Sequence, residues 1–145
     1  MGFAFDETMS GTMERVDQPG QAVPFSFSIH VHAPSLGRHL RDGKATLRGT
    51  VEAPGLAASA ALEGEITMRP LGRRLIRYEF EFDGDDGRRY RFAGQKDIRW
   101  TDLRRSWTTL PGEITDAAGA LVARCLTRFD ARADWLQFAS SWRPA

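Results

Sequence analysis

Residues 25 to 33 alternate with a period of two: Phe25, Phe27, Ile29 and Val31 fall on one side, Ser26, Ser28, His30 and His32 on the other. Successive side chains of a strand point to opposite faces, so this spacing predicts a strand with one buried and one wet face. Pro24 and Pro34 bracket the run, as expected of a residue that cannot donate to a central ladder.

The same pattern recurs more strongly between Leu75 and Gly94. Ile76, Tyr78, Phe80 and Phe82 share a face opposite Arg77, Glu79 and Glu81, and after the turn-rich Asp83-Gly84-Asp85-Asp86-Gly87 come Tyr90, Phe92 and Gly94 in alternation with Arg89, Arg91 and Ala93. Placing Phe82 opposite Arg88 pairs Phe80 with Tyr90, Tyr78 with Phe92, Glu81 with Arg89 and Glu79 with Arg91. That register puts aromatic pairs inside and opposite charges outside, each pair contributing roughly 0.2–1 kcal/mol.

Weaker alternation predicts further strands near 3–13, 45–53, 59–69, 105–114 and 121–129. Four of them share an internal glycine, in Ser10-Gly11-Thr12, Arg48-Gly49-Thr50, Glu63-Gly64-Glu65 and Pro111-Gly112-Glu113. Glycine inside a strand marks a bulge or sharp bend of the kind that closing a barrel requires. The spacing is irregular, which excludes a solenoid or propeller repeat. Two segments depart from the alternation. Ser35 to Gly43 reads as a short helical turn, and Asp130 is placed to cap a helix carrying Trp135, Phe138, Ala139 and Trp142 on one face, ended by Pro144.

Together these signals predict an all-β chain forming one domain over 1–145. The expected architecture is a single antiparallel, eight-stranded up-and-down barrel of lipocalin- or calycin-like shape, or a strongly curled sheet, with a C-terminal helix against it. An eight-stranded barrel is either filled by its own side chains or holds one small ligand.

Composition narrows the function classes. The chain has 145 residues, 41% of them hydrophobic, with 20 Lys+Arg against 19 Asp+Glu. No apolar run approaches the roughly 20 residues of a membrane helix, and the start Met1-Gly2-Phe3-Ala4-Phe5-Asp6 lacks a signal peptide's basic and apolar regions. The expectation is a cytoplasmic protein without a membrane span. Cys125 is the sole cysteine, so neither an intrachain disulfide nor a cysteine-based zinc site can form. Of the 20 cations only Lys44 and Lys96 are lysines, a bias that fits a GC-rich genome.

Familiar catalytic motifs are missing. Gly37 to Lys44 has the wrong spacing for a phosphate loop, and Ala45 stands where a hydroxyl would bind magnesium. There is no dinucleotide fingerprint, nucleophile elbow or zinc-protease helix, so no cofactor is expected. The acidic turn at 83–87 lacks the bidentate Glu of a calcium loop. His30 and His32, two apart on one strand face, have the placement of two metal ligands but need a third. They lie opposite the apolar face, which makes surface histidines the preferred reading and leaves no metal site assigned. Glu63/Glu65 and Glu79/Glu81 have the separation of an inverting acid–base pair, but Glu79 and Glu81 already face arginines. Arginines at 69, 73, 74, 77, 88, 89 and 91 are mixed with acids, and a formal net charge of +1 argues against nucleic acid as a partner.

Phe5-Asp6-Glu7-Thr8-Met9-Ser10-Gly11, Arg77-Tyr78-Glu79-Phe80-Glu81-Phe82, Gly87 through Lys96 and Trp107-Thr108-Thr109-Leu110 resemble an ancillary domain found beside or fused to cholesterol-oxidase-like flavoenzymes of the glucose-methanol-choline group. The resemblance implies association with enzymes acting on lipid-like substrates. It transfers neither FAD binding nor sterol oxidation, because the fingerprint belongs to the flavoenzyme part, and it carries over no catalytic residue.

The functional expectation is a non-catalytic module that binds a hydrophobic small molecule, lipid or sterol-like, in or at the mouth of the barrel. Its candidate lining is Phe27, Ile29, Tyr78, Phe80, Tyr90, Phe92 and Trp107. The alternative is an accessory module with a filled core that docks on an enzyme, a flavoenzyme by the resemblance, or on itself, using exposed sheet or the surface of Trp135, Phe138 and Trp142. An enzyme of unrecognised type is a third possibility, for which no nucleophile, base and orienting group can be assembled.

Overall fold

A computed structural model of the chain describes residues 3–33, 43–69, 75–97, 101, 108–129 and 143–144. Nine strands follow in order: β1 (Phe3–Arg15), β2 (Ala22–Ala33), β3 (Lys44–Ala53), β4 (Ala57–Arg69), β5 (Leu75–Asp83), β6 (Arg89–Asp97), β7 (Thr109–Asp116), β8 (Leu121–Arg128) and β9 (Arg143–Pro144). Each of the first eight pairs antiparallel with its sequence neighbour, and β1 closes the ring by pairing Ser10 to Arg15 with Arg128 to Ala123 of β8. The result is a closed, eight-stranded antiparallel barrel, and no helix is among the described elements.

Strand alternation supplies the core. Met9, Met13, Phe25, Phe27, Val31, Leu47, Ile66, Phe80, Phe82, Phe92, Leu110 and Ile114 point inward and are almost completely buried. Of the four glycines that recur in the sequence, three sit where the backbones approach most closely. A Cβ on Gly49 would lie 1.8 Å from the Ser28 carbonyl oxygen, one on Gly11 2.0 Å from that of Leu126, and one on Gly64 2.0 Å from that of Glu79. Gly112 instead lies under the Phe92 ring, with a Cβ coming within 2.6 Å of it. All four positions therefore exclude any larger residue, three to let the sheet bend and one to seat a ring.

The β5–β6 hairpin forms with its faces as expected but with its register moved by two residues. Phe80 faces Phe92, Phe82 faces Tyr90, Tyr78 faces Gly94 and Asp83 faces Arg89. The turn sets this offset: Gly84 N–H donates to the Arg88 carbonyl at 2.8 Å, Asp86 Oδ1 accepts from Arg88 N–H at 2.9 Å, and Gly87 has φ of 80°. β5 consequently runs one residue further than expected, to Asp83, and β6 begins one residue later, at Arg89. The expected ion pairs survive as diagonals, because long side chains span that offset: Arg89 reaches Glu81 at 3.2 Å and Arg91 pairs with Glu79.

Two further expectations are adjusted. Pro24 lies within β2, opposite Thr12, rather than before it. Pairing of β2 with β3 begins only at Ser26, so the position uses one ladder and needs no donor on the other side. Arg143 and Pro144 form a short strand that pairs with Ala4 and Phe3. The expected helix over 130–142, with Trp135, Phe138 and Trp142, lies outside the described residues, as does the turn at 34–42.

The barrel has two unlike ends. At one, the turns are short and stitched together: Arg15 donates to the Gly55 carbonyl at 3.1 Å, Asp85 N–H to the Leu56 carbonyl at 2.8 Å, and Tyr90 Oη to Asp86 Oδ2 at 2.8 Å. Leu56 is buried beneath them. The other end is where β2, β4, β6 and β8 finish and β1, β3, β5 and β7 start, and two of the links that join strands there, 34–43 and 98–108, are longer than any at the stitched end.

Candidate functional site

The inward row of β1 reads Phe5, Glu7, Met9, Gly11 and Met13, so strand geometry forces a carboxylate into the apolar interior. The inward row of β6 reads Tyr90, Phe92, Gly94 and Lys96, which does the same with an ammonium. The side chains meet: Lys96 Nζ lies 3.8 Å from Glu7 Oε1, with only 5% and 8% of the two side chains exposed. Tyr78, inward from β5, donates its hydroxyl to the same Glu7 oxygen at 2.7 Å, and Lys96 Nζ stands 5.2 Å from the centre of the Tyr78 ring.

Lys96 and Tyr78 register their burial. Burial pulls the Lys96 ammonium below its ordinary value, with the Glu7 carboxylate acting in the opposite direction. Burial pushes the Tyr78 phenol well above its ordinary value, reinforced by the negative charge of Glu7 and the hydrogen bond to it. A carboxylate, an amine and a phenol held together out of water can exchange protons among themselves and with a polar group brought to them.

The cluster sits toward the end with the longer connections, since Lys96 is one residue from the end of β6 and Tyr78 three from the start of β5. Toward the stitched end the interior is filled by aromatic rings. Phe27 packs against Phe80 and Phe92 at centroid distances of 5.2 and 5.4 Å, Phe80 stacks on Phe92 at 4.8 Å, and Phe25 stacks on Phe92 at 5.8 Å.

The structure thus divides the candidate lining residues. Phe27, Phe80 and Phe92 belong to the aromatic plug. Tyr90 is buried beside Phe82 at 5.7 Å with its hydroxyl held by Asp86 at the stitched end. Tyr78 joins the polar cluster, with its ring edge toward Phe27 at 6.2 Å. Ile29 is buried opposite Glu7 on the neighbouring strand. Trp107 lies outside the described residues. Glu7 and Lys96 lie outside the lining expected from the sequence, although each breaks an otherwise apolar strand face, which is a signal readable from parity alone.

The other polar candidates are on the outside. His30 and His32 line a shallow depression of about 710 Å³ with Thr46, Arg48, Glu63 and Glu65. His30 Nδ1 is 2.7 Å from Asp6 Oδ1, and no group of three His, Cys, Asp or Glu suited to a metal occurs among the described residues. Glu79 is held by Arg77 at 2.6 Å and by Arg91, and Glu65 lies 3.8 Å from Lys44. Cys125 is unbridged and buried, and burial pushes its thiol up to about 12. Among the described residues no helix is long and apolar enough to cross a membrane.

No family model, curated protein or solved structure matches the chain. The resemblance to the flavoenzyme-associated domain therefore rests on the quoted motifs alone.

Proposed function

We propose that the protein is a non-catalytic binding module for an amphipathic small molecule, an apolar tail bearing one polar group, received at the end of the barrel that carries the longer connections. One observation supports this reading above the others: an ion pair with a phenol, Glu7, Lys96 and Tyr78, is buried inside a barrel whose described interior is largely apolar. Such a group adds little stability compared with an apolar replacement, so its presence asks for a purpose beyond folding. The aromatic plug and the stitched turns favour one direction of access, because they block the opposite end. Ligand pockets are typically apolar with a few convergent polar groups, and Ile29, Val31, Leu47 and Ile66 supply the apolar wall on the same side of the plug.

A long-chain alcohol, fatty acid or sterol would place its head group at the cluster. Thermal unfolding with dodecanol, dodecanoic acid and cholesterol tests this. At least one should raise the melting temperature of the wild-type chain, by an amount that grows with ligand concentration, and Lys96→Met should reduce the effect. No shift with any of the three would remove the reading.

The filled plug supports the second reading, an accessory module that docks on an enzyme or on itself. Through the resemblance, the enzyme would be a cholesterol-oxidase-like flavoenzyme. Light scattering after size exclusion tests the self-association arm: a dimer favours it and a monomer does not.

A further inference from the structure

The chemistry of the cluster goes further than reversible binding. We propose that Lys96 is a carbonyl-capturing amine, which holds an aldehyde or ketone at the end of an apolar chain as an imine inside the barrel. The inference rests on the binding site proposed above and names its ligand class.

Imine formation needs three things. The first is an amine able to be neutral near neutral pH, and a desolvated lysine is the usual solution; burial acts on Lys96 in that direction. The second is a group able to accept and return protons next to that amine. Glu7 Oε1 lies 3.8 Å from Lys96 Nζ and already accepts the Tyr78 hydroxyl at 2.7 Å, so carboxylate and phenol form a short relay. The third is a dry site, since water hydrolyses the product. The Glu7 and Lys96 side chains are 8% and 5% exposed, and the Tyr78 ring lies against the amine.

The step balances without an outside oxidant. The neutral Lys96 nitrogen attacks the carbonyl carbon, forming a C–N bond as the C=O π bond breaks, and one of its two protons passes through Glu7 to the oxygen, giving a carbinolamine. The second proton follows the same path through Glu7 to the carbinolamine hydroxyl, which leaves as water as the C=N bond forms. The sum is one aldehyde and one amine giving one imine and one water.

The chain suits a direct test, because Lys96 and Lys44 are its only lysines and Lys44 is exposed beside Glu65. The full chain is incubated with dodecanal, reduced with borohydride and mapped by peptide mass spectrometry, with dodecanol as a partner that cannot form an imine. The expected result is one dodecyl group on Lys96, exceeding that on Lys44 by about tenfold or more, as for a desolvated amine competing with a solvated one. Lys96→Arg, checked for folding by circular dichroism, should lose the adduct, and Lys44→Arg should keep it. Because the map is made on the wild-type chain, it decides the question even if the Lys96 variant misfolds. If dodecanol and dodecanal both stabilise the protein but reduction labels only Lys44 or the terminal amine, capture is wrong and the binding site stands. If neither stabilises it and Lys96 is unlabelled, both fall.

Discussion

A glutamate and a lysine on apolar strand faces carry most of the functional argument, and their energetics can be measured apart from any ligand. Removing one member of a buried pair strands the other charge, which costs about 3–5 kcal/mol, whereas replacing both with apolar groups is often neutral or stabilising. Glu7→Gln alone and Lys96→Met alone should each lower stability to urea by about 3 kcal/mol, and Glu7→Leu combined with Lys96→Met should recover most of that loss. Additive losses would mean that the two groups act independently. The strand glycines make a second prediction at this scale. A methyl group on Gly49 would meet a carbonyl oxygen at 1.8 Å, so Gly49→Ala should cost at least about 3 kcal/mol in denaturant unfolding. At Gly119 nothing obstructs a Cβ and only the φ of 86° resists, so Gly119→Ala should cost about 1–2 kcal/mol.

Among the elements, the β5–β6 hairpin shows what a sequence pattern can and cannot specify. Period-two alternation decides which face is buried, and a shift of two residues preserves every face. The offset instead depends on turn hydrogen bonds made by Gly84, Asp86 and Gly87, which alternation does not encode. The pairs Glu79 with Arg91 and Glu81 with Arg89 form across the diagonal and are half exposed. The Glu79→Ala, Arg91→Ala double-mutant cycle should therefore yield a coupling of only about 0.2–1 kcal/mol, shrinking further in 1 M salt. The bending glycines were legible because four strands repeat the same feature. The polar cluster was less legible, because Glu7 and Lys96 lie 89 positions apart in the chain and come together only when β1 and β6 face each other across a closed barrel.

The molecule is a barrel with one stitched, plugged end and one end bearing the longer connections, and the groups in its described interior that titrate in alkali include Cys125, Tyr78 and Lys96. Cys125 has a folded value of about 12 against an ordinary 9.0. Between those values the unfolded chain releases a proton that the folded chain keeps, so stability falls as pH rises through that window. Tyr78, also raised, acts in the same sense above its ordinary value. Lys96, lowered, acts oppositely, since there the unfolded chain holds the extra proton. Going from pH 8 to pH 10.5 should cost the wild-type chain about 2 kcal/mol through Cys125 alone, and Cys125→Ala should remove that part of the slope. An unchanged slope in Cys125→Ala would show that the thiol is solvated.

Whether a ligand's polar group meets the buried cluster from the end with the longer connections can be read by nuclear magnetic resonance of the chain labelled with ¹³C at the lysine ε-carbons. Two signals are expected, one for Lys44 on the outer face and one for Lys96 inside. Titration with dodecanol should move the Lys96 signal progressively to saturation and leave that of Lys44 in place. A Lys96 signal that stays fixed while dodecanol raises the melting temperature would place the ligand elsewhere and contradict the account.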